Sequence, residues 1–442
     1  MSFVKLRGIK LQKNTTTTGI DITPLKPMDF YNVPLKLKNV SESEPVVSIG
    51  DEVKEGTLIA KPSGQFGMFI YSPICGKVLN IFNKVTSNGE YCKHILIMNN
   101  NQNDFVDLPE IESMSDQTLI ERLRLCGQFD TLSNMPTFLK YAYTGSKTYK
   151  TLLVLMDDLD PNCTINQTLA EYKVEEVING AKYFMNIAGV SHVTFVFSDK
   201  NKLLANKLRK HISETKKNYD YKIKFIPHKY PFTNPYILSQ VATGKKITNK
   251  TTFIDAGVVI ETAESCYNFC RAKEFNKPVT KKFVTIDGNN IIRKGNYSIP
   301  NGVSYENLIN FAGIIDKNQP VTIIDGNMMF GKAQYNEEIS ISFTTNSIVI
   351  NSFDKFENHE EFNCISCGRC SDICPMKLNP QKIETAYHDD DKDELEKLQV
   401  KSCIECGCCS YVCPSRRYLT QRIANAKFYI NDNKNKEDGG KK

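Results

Sequence analysis

The sequence contains no apolar run that is long enough to cross a lipid bilayer. Its longest uncharged apolar stretches, at residues 151–156 and 193–197, fall far short of the roughly 18–20 residues that a transmembrane helix needs. The N-terminus has no apolar segment followed by a small-residue cleavage site, which argues against a secretory signal. These absences predict a cytoplasmic protein without a transmembrane segment, located peripherally on the cytoplasmic side of the cell membrane.

Several functional motifs are also missing. The chain has 56 basic and 50 acidic residues, spread along its length without a long basic block, so no nucleic-acid partner is expected. It contains no Walker loop, no nucleophilic triad and no Gly-x-Gly-x-x-Gly fingerprint. The sequence therefore gives no support for phosphate-loop chemistry or nucleophilic hydrolysis, and only weak support for dinucleotide binding.

The 442 residues allow two to four domains. Residues 1–112 alternate short β-like runs with glycine turns, which predicts a β-sandwich. Their pattern resembles the half-barrel of biotinyl and lipoyl carrier domains, but residues 63–69, where the tip would lie, include no lysine to modify. We therefore expect a structural module rather than a swinging arm.

Three further domains are predicted along the rest of the chain. Residues 115–255 alternate apolar strand-like runs with amphipathic helical stretches, and this βαβαβ order predicts a parallel sheet that binds ligands at its carboxyl edge. Residues 280–352 return to short strands with one helix near residues 305–311, which suggests a β-grasp domain. Residues 356–426 carry regularly spaced cysteines, and residues 427–442 form a polar tail that is expected to be disordered.

Two copies of the motif C-x2-C-x2-C-x3-C-P occur near the C-terminus. They consist of Cys364, Cys367, Cys370 and Cys374, and of Cys403, Cys406, Cys409 and Cys413. This run is typical of bacterial ferredoxins, in which three thiolates on a tight loop bind a 4Fe-4S cluster and the fourth cysteine binds the other cluster. The motifs therefore predict one cluster held by Cys364, Cys367, Cys370 and Cys413, and a second held by Cys403, Cys406, Cys409 and Cys374.

Other interpretations of the cysteines stay open. Zinc knuckles also use thiolates, although zinc sites favour two separated C-x2-C pairs and do not need the trailing proline. Cys408 lies between two expected ligands and is interpreted as a packing residue. Cys266 and Cys270 stand four residues apart, as two metal ligands on one helix would, but ordinary buried thiols are favoured.

Residues 46–60, residues 284–313, the segment GNMMFG at residues 326–331 and, most specifically, residues 403–415 share their patterns with one family. They resemble the RnfC subunit of the Rnf ion-translocating electron transport complex and its soluble relatives, such as a cobalamin reductase and a proline-reductase-associated electron-transfer protein. The resemblance runs from Arg7 to about Ala426. It implies a multidomain α+β fold with a β-sandwich (barrel-sandwich hybrid) domain, a Rossmann-like α/β domain, an SLBB-like β-grasp domain and an α-helical dicluster ferredoxin domain.

The resemblance also implies an α/β domain similar to the flavoprotein subunit of respiratory complex I, which binds FMN and NADH. A hydride donor needs a flavin to split its electron pair, since each cluster accepts one electron. The family's glycine-rich loop, G-L-G-G-A-x-F-P-T, is replaced here by residues 128–137, in which only Pro136 and Thr137 match. We expect side chains to fill the space of the cofactor phosphate and Asp130 to repel it.

Two other motifs of that flavin site are altered. The motif N-G/A-x-E-C-E-P becomes residues 155–161, in which Asp158 and Asp160 stand for the two glutamates. The motif Y-P-Q-G-G-E-K becomes residues 230–236, which keep Tyr230 and the following proline but no glycine and no glutamate. The candidates for cofactor binding are Asp158, Asp160, Pro136, Thr137 and Tyr230. FMN and NADH are thus candidate cofactors of a site that the sequence predicts to be degenerate.

We expect an electron-transfer subunit that carries two 4Fe-4S clusters and receives electrons from NADH through a flavin or from a ferredoxin. Its partners are expected to be other redox subunits of a membrane electron transport complex, or a soluble ferredoxin or flavoprotein. Two alternatives remain. One is an active FMN-dependent NADH dehydrogenase subunit or soluble reductase, and the other is an interaction scaffold that the clusters merely hold together. No catalytic residue is assigned.

Overall fold

The computed structural model of the chain describes residues 7–12, 16–111, 115–214, 220–248, 251–353 and 360–439. Within these ranges the strands form five sheets. None of the helices in the same ranges combines the length and the apolar character that crossing a membrane would require. The architecture is mixed α/β and multidomain, as the sequence predicted.

The N-terminal unit is a sandwich of two small antiparallel sheets. The first strands of the described chain are β1 (Ile22–Pro24), β2 (Phe30–Pro34), β3 (Glu44–Pro45), β4 (Glu52–Val53), β5 (Leu58–Lys61), β6 (Ile70–Tyr71), β7 (Gly76–Val85) and β8 (Tyr91–Asn99). Strands β2, β8, β7 and β4 form one sheet, and β3, β5 and β6 form the other. Val33, Ile59 and Ile95 belong to the fully buried apolar cluster of this unit. The expected sandwich is confirmed, except that β1 pairs with a strand of the third unit.

The second unit is built on a parallel sheet in the order β13-β12-β11-β14. Its elements are α1 (Asp116–Leu125), β9 (Phe129–Asp130), β10 (Met135–Pro136), α2 (Leu139–Ala142), β11 (Thr151–Leu155), α3 (Ile165–Tyr172), α4 (Val174–Ala188), β12 (Val193–Ser198), α5 (Lys202–Glu214), β13 (Tyr221–Ile226), α6 (Pro235–Thr243), β14 (Val258–Thr262) and α7 (Ala263–Glu274). The predicted strands at residues 151–155, 193–197 and 221–226 are confirmed. Because the strand order reverses between β11 and β14, a crevice is expected at the carboxyl ends of these strands.

Both faces of the parallel sheet are covered. Phe184 of α4 and Phe269 of α7 are fully buried in the cluster on one face. The other face presents Leu153 and Val196, which pack in a cluster with residues of α6 and with Ile404 of the cysteine-rich segment. The alternation of buried side chains along β11 thus provides a surface on which the cysteine-rich segment docks.

The third unit is a six-stranded sheet in the order β1-β16-β15-β19-β17-β18 with one helix. Its other elements are β15 (Lys281–Asp287), β16 (Gly295–Pro300), α8 (Tyr305–Ala312), β17 (Val321–Asp325), β18 (Lys332–Gln334) and β19 (Ser347–Ser352). Helix α8 begins after Ser304, whose hydroxyl accepts the N–H of Asn307 at 3.2 Å. Tyr305 and Leu308 are fully buried in the cluster that α8 shares with the sheet, so the predicted helix is confirmed.

The fourth unit is helical. It contains α9 (Arg369–Ile373), α10 (Pro380–His388), α11 (Lys392–Lys397), a 3-10 turn (Val400–Ser402), α12 (Cys408–Tyr411) and α13 (Leu419–Gly439). Ile383, Leu395 and Ile423 form its apolar centre together with Cys374 and Cys409. The carboxylate of Glu384 accepts hydrogen bonds from Arg417, of which one is 2.8 Å long, and from Arg422. The core and the cysteine loops therefore share one packed body.

The prediction that residues 427–442 are disordered is wrong for most of that range, because α13 continues to Gly439. Ile430 is only 4% exposed, and Tyr429 packs against the core of the helical unit. The apolar face of the helix thus extends one turn beyond Ala426, and no proline or glycine interrupts residues 427–438. A helix that is already nucleated by packing propagates through such a stretch.

Candidate functional site

The eight motif cysteines line two small cavities of about 20 Å³ each. The outer quartet, which we define as Cys364, Cys367, Cys370 and Cys413, lines one cavity. The inner quartet, which we define as Cys374, Cys403, Cys406 and Cys409, lines the other. Each quartet takes three cysteines from one motif and the fourth from the other motif. The structure therefore brings together the same two sets that the ferredoxin pattern predicted.

The two motifs have the same local backbone conformation. Ser366 and Glu405 each lie two residues after the first cysteine of their motif, and both have a φ of 54°. Their N–H groups donate to the sulfur atoms of Cys364 and Cys403, both at 3.4 Å. The left-handed turn thus directs backbone N–H groups towards the thiols. Hydrogen bonds of this kind stabilise the charged thiolate, which is the form that binds metal.

The quartets differ in their access to water. Cys364 and Cys367 of the outer quartet are exposed, whereas Cys374 and Cys409 of the inner quartet are each 9% exposed. Burial raises the pKa of Cys403 to about 12 and that of Cys409 to about 11. The inner quartet therefore lies in a dry environment, and the outer quartet reaches the surface.

The cysteines surround volumes rather than single points. In the part of the chain that the structure describes, no three His, Cys, Asp or Glu side chains converge closely enough to hold one metal ion. Four thiols nevertheless share each cavity. This spread suits a cluster of several metal atoms better than zinc, whose thiolate ligands all lie about 2.3 Å from one centre. Cys266 and Cys270 are fully buried on α7 and likewise take part in no such group among the described residues.

Tyr230 connects the parallel-sheet unit to the second cysteine motif. Its hydroxyl donates a hydrogen bond of 2.7 Å to the backbone carbonyl of Cys406. Its own backbone pairs with that of Ile9 through bonds of 2.8 and 2.9 Å. Cys408 is fully buried and packs in one cluster with Ile9 and Tyr230, which is the packing role that the sequence predicted.

A cavity of about 300 Å³ lies where the four units meet, and we name it the junction cavity. Its walls include Lys38 of the sandwich, Leu132 and Tyr230 of the parallel-sheet unit, Lys332 of the third unit and Cys406 of the inner quartet. This volume is at the lower end of the range of about 300–1,000 Å³ that is usual for small-molecule sites. The junction cavity therefore borders the inner quartet directly.

The residues that were predicted to bind a flavin do not all meet at this cavity. Asp160 and Tyr230 line it. Pro136 and Thr137 are buried and do not line it. The predicted site is therefore only partly assembled at the carboxyl edge of the sheet.

Asp158 has a structural contact instead. Its carboxylate accepts the N–H groups of Asn166 at 2.7 Å and Gln167 at 3.3 Å, and so binds the first turn of α3. Asp160 accepts a hydrogen bond of 3.3 Å from the Thr233 hydroxyl. Burial raises the pKa of Asp158 to about 6, and burial together with the Asp158 charge raises the pKa of Asp160 to about 7. Of the two acids, only Asp160 therefore faces the junction cavity.

Sequence reasoning missed a buried group of charges beside the junction cavity. The Nζ of Lys140 lies 2.9 Å from the Asp130 carboxylate and 3.0 Å from that of Glu261, and none of the three side chains is more than 10% exposed. A signal for it existed, because Glu261 follows the apolar residues 258–260 of β14, and a charge in a buried strand needs a partner. With its donors engaged by carboxylates, this region does not fit a cofactor phosphate.

Three family models match successive parts of the chain. Residues 4–102 match the RnfC barrel sandwich hybrid domain. Residues 122–271 match the Nuo51 FMN-binding domain, and residues 357–414 match a 4Fe-4S dicluster domain. These three matches follow the order of the sandwich, the parallel-sheet unit and the cysteine-rich unit.

Curated relatives resemble most of the chain. The RnfC subunit of the proton-translocating ferredoxin:NAD(+) oxidoreductase complex of Clostridium ljungdahlii is 28% identical over 377 residues, which cover 84% of this chain and 81% of that protein. The RnfC subunit of the ion-translocating oxidoreductase complex of Citrobacter koseri is 25% identical over 380 residues, covering 85% of this chain. The chain spans about half of the latter protein, 53% of its length.

A solved structure has a related fold. It is an NAD+-reducing NiFe hydrogenase in its H2-reduced state, with a TM-score of 0.50 and 12% identity. The likeness covers 71% of this chain and 60% of the hydrogenase chain. At this level of identity the likeness concerns the fold alone.

Proposed function

Because the chain belongs to the RnfC-like family, we propose that it is an electron-transfer subunit of a ferredoxin:NAD oxidoreductase complex and carries two 4Fe-4S clusters. The observation that carries this proposal is the grouping of eight cysteines around two cavities, with a crossed fourth cysteine in each. The match of residues 357–414 to a 4Fe-4S dicluster domain supports the same conclusion. Such clusters supply one-electron oxidation and reduction.

We assign the outer quartet to one cluster and the inner quartet to the other. The crossing of Cys374 and Cys413 keeps both clusters next to each other, because α9 and α12 each carry the chain from one cavity to the other. The chain contributes hydrogen bonds to sulfur, one of which is the bond from the Leu378 N–H to Cys374 at 3.4 Å. Donors to sulfur and solvent exposure are the properties through which a protein sets the potentials of such clusters.

The different exposure of the quartets suggests a direction. The inner quartet borders the junction cavity, and the outer quartet lies at the surface beside Phe362 and Ile365, which are 58% and 68% exposed. A redox partner that docks over these apolar side chains would come close to the exposed thiols Cys364 and Cys367. We propose that this face meets another redox subunit of a membrane complex, or a soluble ferredoxin or flavoprotein, at the cytoplasmic side of the membrane.

Finer features of the fold complete the proposal. The strand order of the parallel-sheet unit supports a Rossmann-like domain, and the six-stranded sheet with α8 supports an SLBB-like β-grasp domain. Asp160 and Tyr230 are the proposed contacts of any small molecule in the junction cavity. The match to an FMN-binding domain keeps FMN and NADH as candidates there, while Asp158, Pro136 and Thr137 have structural positions.

The first test is anaerobic purification followed by a combined assay of iron, acid-labile sulfide, zinc and flavin. We expect about eight irons and eight sulfides per chain, and reversible reduction in a redox titration. Irreversible reduction would favour the interaction scaffold. Bound flavin with bleaching by NADH would favour the NADH dehydrogenase alternative, and zinc in place of iron would overturn the proposal.

The ligand assignment is tested by matched cysteine variants. Crossing predicts that Cys374→Ser loses the same spectroscopic centre as Cys403→Ser, and that Cys413→Ser loses the same centre as Cys364→Ser. Each variant should keep about four irons. Cys408→Ser, at a buried cysteine next to the ligand Cys409, is the control and should keep both centres. Loss of the same centre in Cys374→Ser and Cys364→Ser would contradict the crossing.

A further inference from the structure

The loop that joins α1 to α2 folds around a carboxylate of its own. Asp130 is 1% exposed. Its carboxylate accepts the N–H groups of Leu132 at 3.1 Å and of Ser133 at 3.0 Å, and it also accepts the Ser133 hydroxyl. Backbone N–H groups that converge in a turn form the kind of concave site in which proteins bind anions such as phosphate. Here the anion in that position belongs to the loop itself.

Lys140 completes the contacts of this anion. Its Nζ lies 2.9 Å from Asp130 and 3.0 Å from Glu261, and it donates to the carbonyl of Ile260 at 2.7 Å. A lysine ammonium has three donors, so these contacts use all of them. Burial opposes the charge, but the Asp130 and Glu261 carboxylates outweigh it and raise the pKa of Lys140. The lysine is therefore a charged group with no donor left for a ligand.

We propose that the Asp130 carboxylate occupies the anion-binding position of this loop, so that the loop binds no phosphate group of a cofactor. The loop lies within the part of the chain that matches an FMN-binding domain, yet residues 128–137 contain no glycine. A phosphate at the same place would compete for the donors that Asp130 already uses. It would also set two negative charges side by side in a region that water screens poorly. This inference concerns the loop alone and does not depend on the electron-transfer proposal.

Asp130→Ala tests the inference, because it removes the internal anion and leaves the N–H groups and Lys140 in place. We expect the variant to melt at a lower temperature than the wild-type protein. Inorganic phosphate should then raise its Tm by about 2 °C more than it raises the wild-type Tm, compared with chloride at the same ionic strength. Lys38 and Lys332 line the junction cavity in both proteins, so any binding there cancels in this difference.

Asp130→Asn keeps the space filled without the charge, and it should show no additional response to phosphate. Asp130→Ser opens the same position and provides a second variant if Asp130→Ala does not fold. Asp157→Ala is the matched control, since Asp157 is a buried aspartate that accepts the N–H groups of Ser198 and Asp158 at 3.1 and 3.0 Å. Phosphate should not restore the stability of that control. An equal response of the wild-type protein and the opened variants, or an equal rescue of Asp157→Ala, would overturn the inference.

Discussion

The hydroxyl of Tyr230 donates a hydrogen bond of 2.7 Å to the backbone carbonyl of Cys406. Tyr230 follows β13 in the parallel-sheet unit, and Cys406 belongs to the inner quartet, 176 residues later in the sequence. Both residues also line the junction cavity. One side chain thus fixes the position of a proposed cluster loop relative to the cavity at the edge of the sheet.

Tyr230→Phe should lower the free energy of unfolding by about 1–2 kcal/mol, because it removes this bond and leaves the Cys406 carbonyl without its partner. The measurement is urea unfolding of the iron-loaded protein. Tyr236→Phe is the control, since Tyr236 lies on α6 and is 39% exposed. Equal losses in the two variants would show that the contact does not stabilise the protein.

Gly407→Ala should be more damaging than Gly368→Ala, although the two glycines hold the same place in the two cysteine motifs. Their φ angles are 79° and 73°, so alanine at either position costs about 1–2 kcal/mol of backbone strain. At Gly407 a Cβ would also lie 2.2 Å from the carbonyl oxygen of Met329, whereas at Gly368 the space is open.

The measurement for this pair is the difference in Tm and in iron content between the two variants. We expect Gly407→Ala to lose both stability and the inner cluster, and Gly368→Ala to lose less of each. Indistinguishable variants would mean that the close contact between the turn after β17 and the inner motif is absent in solution.

Asp160 should make the protein less stable as the pH rises from about 4 to 7. Its pKa in the fold is about 7 against an ordinary value of 3.8, so between these values the unfolded chain releases a proton that the folded chain keeps. The free energy of unfolding then falls through this window and stays level above it. Asp160→Asn should flatten this part of the pH profile.

The profile is measured by chemical unfolding at several pH values from about 5 to about 8. Asp393→Asn, at an exposed position in α11, should keep the wild-type slope. An unchanged slope in Asp160→Asn would show that Asp160 is not responsible for it.

Lys282→Met should destabilise the contact between β15 and α7. Its Nζ lies 2.5 Å from the Glu264 carboxylate, and both side chains are nearly buried, at 7% and 12% exposure. Removing the lysine leaves a buried charge without its partner, which typically costs about 3–5 kcal/mol. The double variant Lys282→Met with Glu264→Gln should recover much of this loss in an unfolding titration. Lys61→Met, which removes an exposed pair with Glu44, should have a much smaller effect.

The sequence predicted the local features of this protein well. The spacing of the cysteines predicted which four would share each cavity, because three of every four lie on one tight loop and the fourth follows on a helix that begins within that loop. Strands at residues 151–155 and 221–226 were predictable from runs of residues that favour strands. Such patterns depend on neighbours that are close in the chain.

The sequence failed where distant residues decide the outcome. The polar stretch after Ala426 has no periodicity, yet Tyr429 and Ile430 pack on the helical core and extend α13. Asp158 and Asp160 are two residues apart and looked equivalent, but one binds the first turn of α3 while the other faces the junction cavity. The sequence predicted repulsion between Asp130 and a phosphate, but did not reveal that Lys140 and Glu261 form its environment.

The sequence by itself determined the chemistry of the two cysteine quartets and the class of each unit, since both follow from short-range spacing and periodicity. Only the tertiary structure decided that the inner quartet is dry and borders the junction cavity, and that the outer quartet reaches the surface. The physical reason is that exposure depends on what packs over a residue. At the inner quartet those packing residues come from units that are separated by hundreds of positions in the chain, such as Ile9, Tyr230 and Met329.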